Sequence, residues 1–157
     1  MNKIPMTSSG YEKLQEELKK LINKDRPNII AAIAEARSHG DLSENAEYQY
    51  AKEQQSLIEG KIIELEATTG LAEIINVSEL KGDEIKFGAT VEIKDEDTET
   101  KSIYQIVGEY ESDIKNKKLS INSPLARGLI GKTKDDVVEI NSPKGIKSYT
   151  ILSVKFI

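Results

Sequence analysis

Arg37-Ser38-His39-Gly40-Asp41-Leu42-Ser43-Glu44-Asn45-Ala46-Glu47-Tyr48 is the stretch whose reading settles how this chain folds. One helical pattern runs into it and another runs out, with only a few residues between. Gly40 suits the left-handed position just past a helix end, and Arg37 and His39 fall in the last turn, where cations meet the negative end of the helix dipole. A new helix has to begin at once. Asp41 is a good N-cap, and Glu44 three residues later completes the spacing of a capping box. So short a turn folds the two helices back on each other as an antiparallel αα-hairpin.

Asp41 and Glu44 admit two readings, because side chains at i and i+3 are neighbours with roughly 5–6 Å between β-carbons. In the first they cap orphan N–H groups and favour the positive end of the helix dipole. In the second their oxygens reach toward one hard cation. Spacing alone does not choose between them.

Toward the N-terminus, apolar residues recur at Tyr11, Leu14, Leu18, Leu21, Ile22, Ile29, Ile33 and Ala36, a 3-4 stripe with charges on the opposite face. Thr7, Ser8 and Ser9 supply N-cap candidates, and Ser9 with Glu12 has capping-box spacing, so helix one is expected to begin between Ser8 and Tyr11. Pro27 interrupts the stripe, removes a backbone hydrogen bond and crowds the Asn23 carbonyl, at about 3 kcal/mol in an ordinary helix interior. Apolar spacing resumes at Ile29, so a kink is expected there and not an end. Helix two is expected from about Leu42 to Ile75, with an inward stripe of Ala51, Gln55, Ile58, Ile62, Leu65, Thr69 and Ala72. About 33 residues at 1.5 Å each put the turn roughly 50 Å from the base.

The 157 residues carry a formal charge of −5, with 31% charged and 38% hydrophobic residues, a balance suited to much helix surface in water. Through Ile75 there are nine Lys and Arg against thirteen Asp and Glu, so the arm holds most of the excess acid. That argues against a general electrostatic grip on nucleic acid. Arg37 and Lys52 are the local cations, one on each side of the turn. Tyr48 and Tyr50 are expected to pack against the partner helix, and His39 is read as a helix-end residue. With no Cys and one His, disulfides, thiol nucleophiles and zinc or iron–sulfur centres are set aside. No stretch is long and apolar enough to be read as a secretory signal or a membrane span.

From Val77 the period changes, with Ser78 to Glu84 read as a linker. Short β-type runs follow at Val91 and Ile93, Ile103 to Val107, Lys118 to Ile121, Val137 to Ile140 and Tyr149 to Val154, and Asn141-Ser142-Pro143-Lys144-Gly145 reads as a hairpin turn. Ser123-Pro124 through Gly131 describes a short helix with Ser as N-cap, Pro at the first position and Gly as terminator. The fold class is therefore α+β, in three parts: a helical hairpin over residues 1–76, a linker over 77–84, and a small docking domain with an antiparallel sheet over 85–157. The second part shows no nucleophile–base pair and no phosphate loop.

Several motifs in order resemble the Gre family of bacterial transcript-cleavage and elongation factors. They are Ile4-Pro5-Met6-Thr7, the run Ile29 to Arg37, Gly40 to Tyr48, Phe87-Gly88-Ala89-Thr90-Val91, and Asn122 to Lys132. The resemblance runs end to end. It implies an N-terminal antiparallel coiled coil that enters the secondary channel of RNA polymerase, and an FKBP-like domain that docks at the channel mouth. It further implies that the chain is not itself an enzyme: it stimulates the polymerase to hydrolyse the 3′ end of backtracked nascent RNA. Asp41 and Glu44 match the family's tip acids, as ligands of a Mg²⁺ shared with the polymerase and not held stably by the free protein. Arg37 and Lys52 match positions near the RNA. Lys52 is a point charge and offers no bidentate phosphate contact.

A monomeric cytoplasmic factor is the expectation, with no membrane partner. Two other readings remain: a secondary-channel inhibitor of the same architecture, and a coiled-coil chaperone or isomerase unrelated to transcription. FKBP-like architecture by itself does not confer isomerase activity.

Overall fold

The computed structural model describes residues 3–40 and 45–157, which divide into two compact units. The first spans Tyr11–Ala72. The second combines Lys3–Gly10 with Glu73–Ile157.

The first unit is the helical hairpin. Helix α1 (Ser8–Lys20) runs through a π-helical turn, Leu21–Asp25, into α2 (Arg26–Arg37), and α3 (Ala46–Gly70) packs back along α2. Thr7 caps α1, its Oγ1 accepting from the Gly10 N–H at 3.1 Å, so Ser9 and Glu12 are not the capping pair. Every member of the two apolar stripes is buried or half-buried, Leu65 and Ile62 most deeply. The seam's polar members satisfy themselves locally: Thr68 and Thr69 hydroxyls donate to the Glu64 and Leu65 carbonyls, each at 2.9 Å.

Ahead of Pro27, where a kink is expected, the helix takes a π turn over Leu21–Asp25. The Arg26 N–H reaches back five residues to the Leu21 carbonyl, and Pro27 then falls in the first turn of α2, where a missing N–H is tolerated. Arg26 also ties the two helices together, its Nε and Nη2 each donating to one Glu59 oxygen at 2.8 Å. This hydrogen-bonded pairing raises the Arg26 pKa and lowers that of Glu59.

Helix α3 is shorter at both ends than its apolar pattern predicts. It starts at Ala46, not Leu42, and stops at Gly70, not Ile75. Ala72–Ile75 instead form strand β2, which pairs with β1 (Ile4–Thr7) in a two-stranded ribbon. Ile74 and Ile75 are β-branched and suit a strand once a partner is present.

The second unit is built on a five-stranded sheet of order β5-β4-β3-β7-β6, with β3 (Thr90–Asp95), β4 (Lys101–Val107), β5 (Lys118–Ser120), β6 (Val137–Ser142) and β7 (Gly145–Lys155). The sheet is mixed: β5 joins β4 in parallel while the other pairs are antiparallel. The predicted turn at 141–145 closes β6 onto β7, with Ser142 opposite Gly145. Helix α4 (Pro124–Leu129) has Ser123 as its N-cap, the hydroxyl accepting from the Ala126 N–H. Ile85, Val91, Ile93, Ile106, Leu129 and Ile151 are almost wholly buried in the core it covers.

Lys3–Gly10 belong to this unit because Glu111 clasps them. Its carboxylate accepts from the Thr7 N–H at 3.0 Å, from the Thr7 hydroxyl, and from the Gly108 N–H at 3.2 Å. The approach is close: a Cβ on Gly10 would stand 2.1 Å from Glu111 Cδ and displace that side chain, and one on Gly108 would meet the Pro5 backbone carbonyl at 2.5 Å, where only glycine fits. No helix among the described residues is long and apolar enough to cross a membrane.

Candidate functional site at the hairpin tip

Asp41 and Glu44, the acids singled out in the sequence, lie outside the described residues. The two helix ends that flank them are described in full. Helix α2 finishes with the Ser38 N–H on the Glu35 carbonyl and the His39 N–H on the Ala36 carbonyl, both at 3.1 Å. Gly40 follows at φ +135°, a backbone value open to glycine.

Asn45 begins α3. In extended conformation (φ −87°, ψ 101°), it accepts the Tyr48 N–H on Oδ1 at 3.1 Å, and its own carbonyl accepts the Gln49 N–H at 3.0 Å. The cap of this helix is therefore Asn45 and not Asp41, and Glu47 is the acid in its first turn. Asn and Asp are near-equal caps, so local propensity cannot separate them. What separates them is the other end of the Asn45 amide, whose Nδ2 donates to the Ala36 carbonyl at 2.6 Å across the hairpin. Of the two, only the Asn amide can donate as well as accept; an ionised Asp carboxylate accepts alone.

His39 is a helix-end residue, as expected, and its Nδ1 lies 2.9 Å from Glu47 Oε2 in an exposed pair. Tyr48 is half-buried against the hairpin. Tyr50 departs from the expectation of packing and is 65% exposed.

The two predicted cations come together. Arg37 and Lys52 line one shallow cavity of about 310 Å³ with Ile30, Ile33, Ala34 and Gln55, and Lys52 Nζ donates to Gln55 Oε1 at 3.1 Å. Ile30, Ile33 and Ala34 supply aliphatic carbon to this hollow, and Arg37 and Lys52 supply its cations. Asn45 and Gln55 were missed as tip residues in the sequence. Asn45's cap preference was legible, but its bond to Ala36 was not.

An antiparallel helical hairpin and a small mixed-sheet unit with one short helix define a two-part α+β protein. The chain matches the family models described as "Transcription elongation factor, N-terminal" over residues 4–74 and "Transcription elongation factor, GreA/GreB, C-term" over residues 80–156. It belongs to the GreA/GreB family of transcription elongation factors. Transcription elongation factor GreA of Phenylobacterium zucineum is 57% identical over 157 residues, and that of Brucella canis 59%, each match spanning the full length of both chains. Among solved structures, the GreA factor homolog 1 protein of Thermus thermophilus is similar over 98% of this chain and 99% of its own, at 24% identity and a TM-score of 0.45.

Proposed function

We propose that this factor stimulates bacterial RNA polymerase to hydrolyse backtracked nascent RNA, with Asp41 and Glu44 delivered on the hairpin as ligands of a Mg²⁺ shared with the polymerase active centre. One observation supports the role of the acids beyond family membership: Asn45 supplies the cap of α3, so the helix start does not draw on Asp41 for that service.

The donor set fits the ion. Two carboxylates are hard oxygen ligands of the kind Mg²⁺ takes, but Mg²⁺ prefers an octahedral shell and keeps several waters, so a pair alone holds it weakly. No group of three or more His, Cys, Asp or Glu that could hold a metal occurs among the described residues. The remaining ligands are assigned to the polymerase. A second bound metal supplies an activated water and charge stabilisation for phosphodiester hydrolysis. Asp41 and Glu44 would hold that ion, while Arg37 and Lys52 would hold the extruded RNA by its phosphates. In this reading the chain is a cytoplasmic, monomeric cofactor and carries no nuclease activity of its own.

The test is RNA shortening in a stalled, backtracked polymerase complex. Asp41→Asn and Glu44→Gln abolish the shortening while binding to polymerase survives. Full cleavage by the double variant ends the assignment, and simple arrest on adding the parent protein favours the inhibitor reading.

A further inference from the structure

Alternate residues of three neighbouring strands share one face of the five-stranded sheet: Ile93 and Asp95 of β3, Ser102 and Tyr104 of β4, and Lys147 and Tyr149 of β7. The ladder sets Ile93 opposite Ser102 and Asp95 opposite Tyr149, so they form a contiguous patch. Helix α4 lies over this face but has six residues and reaches about 9 Å, whereas β7 has 11 and runs roughly 35 Å. Where the helix begins, its Leu125 and these strands line a cavity of about 290 Å³.

Ile93 belongs to the core, and Leu125, Tyr104 and Tyr149 pack against it, so much of the cavity wall is apolar. One acid and one base complete it. Asp95 Oδ1 accepts the Asp97 N–H at 2.9 Å and the Thr98 N–H at 3.4 Å, which holds the carboxylate in place. Its Oδ2 faces Lys147 Nζ at 3.6 Å, longer than a hydrogen bond. The Asp95 side chain is 12% exposed and that of Lys147 43%, so a fixed anion stands beside a cation on a flexible stem. Among the described residues, none hydrogen-bonds the hydroxyls of Ser102, Tyr104 and Tyr149. An apolar wall with a few unengaged polar groups is the make-up of a small-molecule site.

We propose that this cavity binds a free α-amino acid with an apolar side chain, its ammonium on Asp95 Oδ2, its carboxylate on Lys147 and its side chain against Ile93, Leu125 and the tyrosine rings. The one acid and one base that line the cavity cancel. They therefore match a ligand of zero net charge with separated charges, whereas a lone cation or anion would leave one member of the pair unmatched. A single carbon separates ammonium from carboxylate in an α-amino acid, which suits an acid and a base 3.6 Å apart. Insertion exchanges one long contact for two charge-assisted hydrogen bonds. Sites for drug-sized ligands run roughly 300–1,000 Å³, so a cavity at the bottom of that range takes a small molecule. The site is separate from the chemistry assigned to the hairpin and stands or falls without it.

The probe is L-leucine, titrated into the full-length protein and followed by the amide NMR signals of β3, β4 and β7. Saturable shifts at the lining residues are expected. Isoamylamine lacks the carboxylate of leucine, isocaproate its ammonium and glycine its side chain, and each binds roughly tenfold more weakly or worse. Lys147→Met and Asp95→Asn weaken L-leucine by a similar factor. Asp95→Asn keeps an Oδ1 acceptor for the two loop N–H groups and removes the charge; should it disturb the fold, Lys147→Met, an exposed position, decides alone. Absence of saturable shifts with L-leucine overturns the proposal, as does parental affinity in Lys147→Met. Isoamylamine binding as tightly as L-leucine would make this a site for organic cations, isocaproate doing so would make it one for anions, and either result refutes an amino-acid site.

Discussion

The clasp of Glu111 on the N-terminal segment makes an energetic prediction with a change of sign. Replacing Glu111 by Ala leaves the Thr7 and Gly108 N–H groups without their carboxylate. An unsatisfied buried donor costs about 1–3 kcal/mol; with Glu111 half-buried, about 2 kcal/mol in all is the expected loss. Gly10→Ala places a methyl 2.1 Å from Glu111 Cδ and must push the carboxylate out. That forfeits the same bonds, but it gains about 0.5–1 kcal/mol because Ala outranks Gly within a helix.

Gly10→Ala therefore destabilises the parent by about 1–1.5 kcal/mol and stabilises the Glu111→Ala background by about 0.5–1 kcal/mol, a coupling of about 2 kcal/mol. With roughly 4–8 °C per kcal/mol for a unit of this size, calorimetry on the full chain resolves it. Glu111→Ala melts the second unit roughly 8–15 °C early, and adding Gly10→Ala then raises the transition by a few degrees. Equal destabilisation by Gly10→Ala in both backgrounds would refute the clasp.

Two further outcomes test the second unit. Asp95 is held below the ordinary aspartate pKa chiefly by the Asp97 N–H; desolvation, the next largest effect, opposes it, and the Thr98 N–H and Lys147 add smaller lowering contributions. A depressed carboxylate stabilises fully above its unfolded value near 3.9 and loses that contribution as pH falls through the folded value. Urea midpoints of parent and Asp95→Asn should thus differ at neutral pH and converge as the pH falls from about 5 toward 2; parallel profiles would remove the role. Gly128→Ala sets a methyl 2.2 Å from Ile140 Cδ1 and should cost about 1–3 kcal/mol by overpacking. Ile140→Val deletes that carbon and should recover most of the loss in a denaturant titration.

The tip shows where sequence legibility ends. Arg37 and Lys52 were visible as cations on either side of a turn, and their convergence on one hollow follows from antiparallel pairing, which the brevity of the turn implied. The start of α3 was not visible. Asp41 and Asn45 are both competent caps, and the choice of Asn45 depends on a carbonyl in the opposite helix. Tyr50 was read as packed because its neighbour Ala51 is inward; one residue on a helix turns the side chain through about 100°, and it faces water.

What the sequence determined by itself is everything with a period or a local signature. The 3-4 stripes made two helices, the short turn made them antiparallel, alternating runs made the strands, and Ser123-Pro124 started α4. What the tertiary structure alone decided is where distant segments meet: Ala72–Ile75 leaving the helix to pair with β1, β5 joining β4 in parallel, Arg26 gripping Glu59, Glu111 holding Thr7, and Asn45 reaching Ala36. The physical reason is that helix periodicity, caps and turns are governed by neighbours a few residues apart. A hydrogen bond or strand pair between remote residues leaves no repeat in the chain and exists only once folding has brought its two halves together.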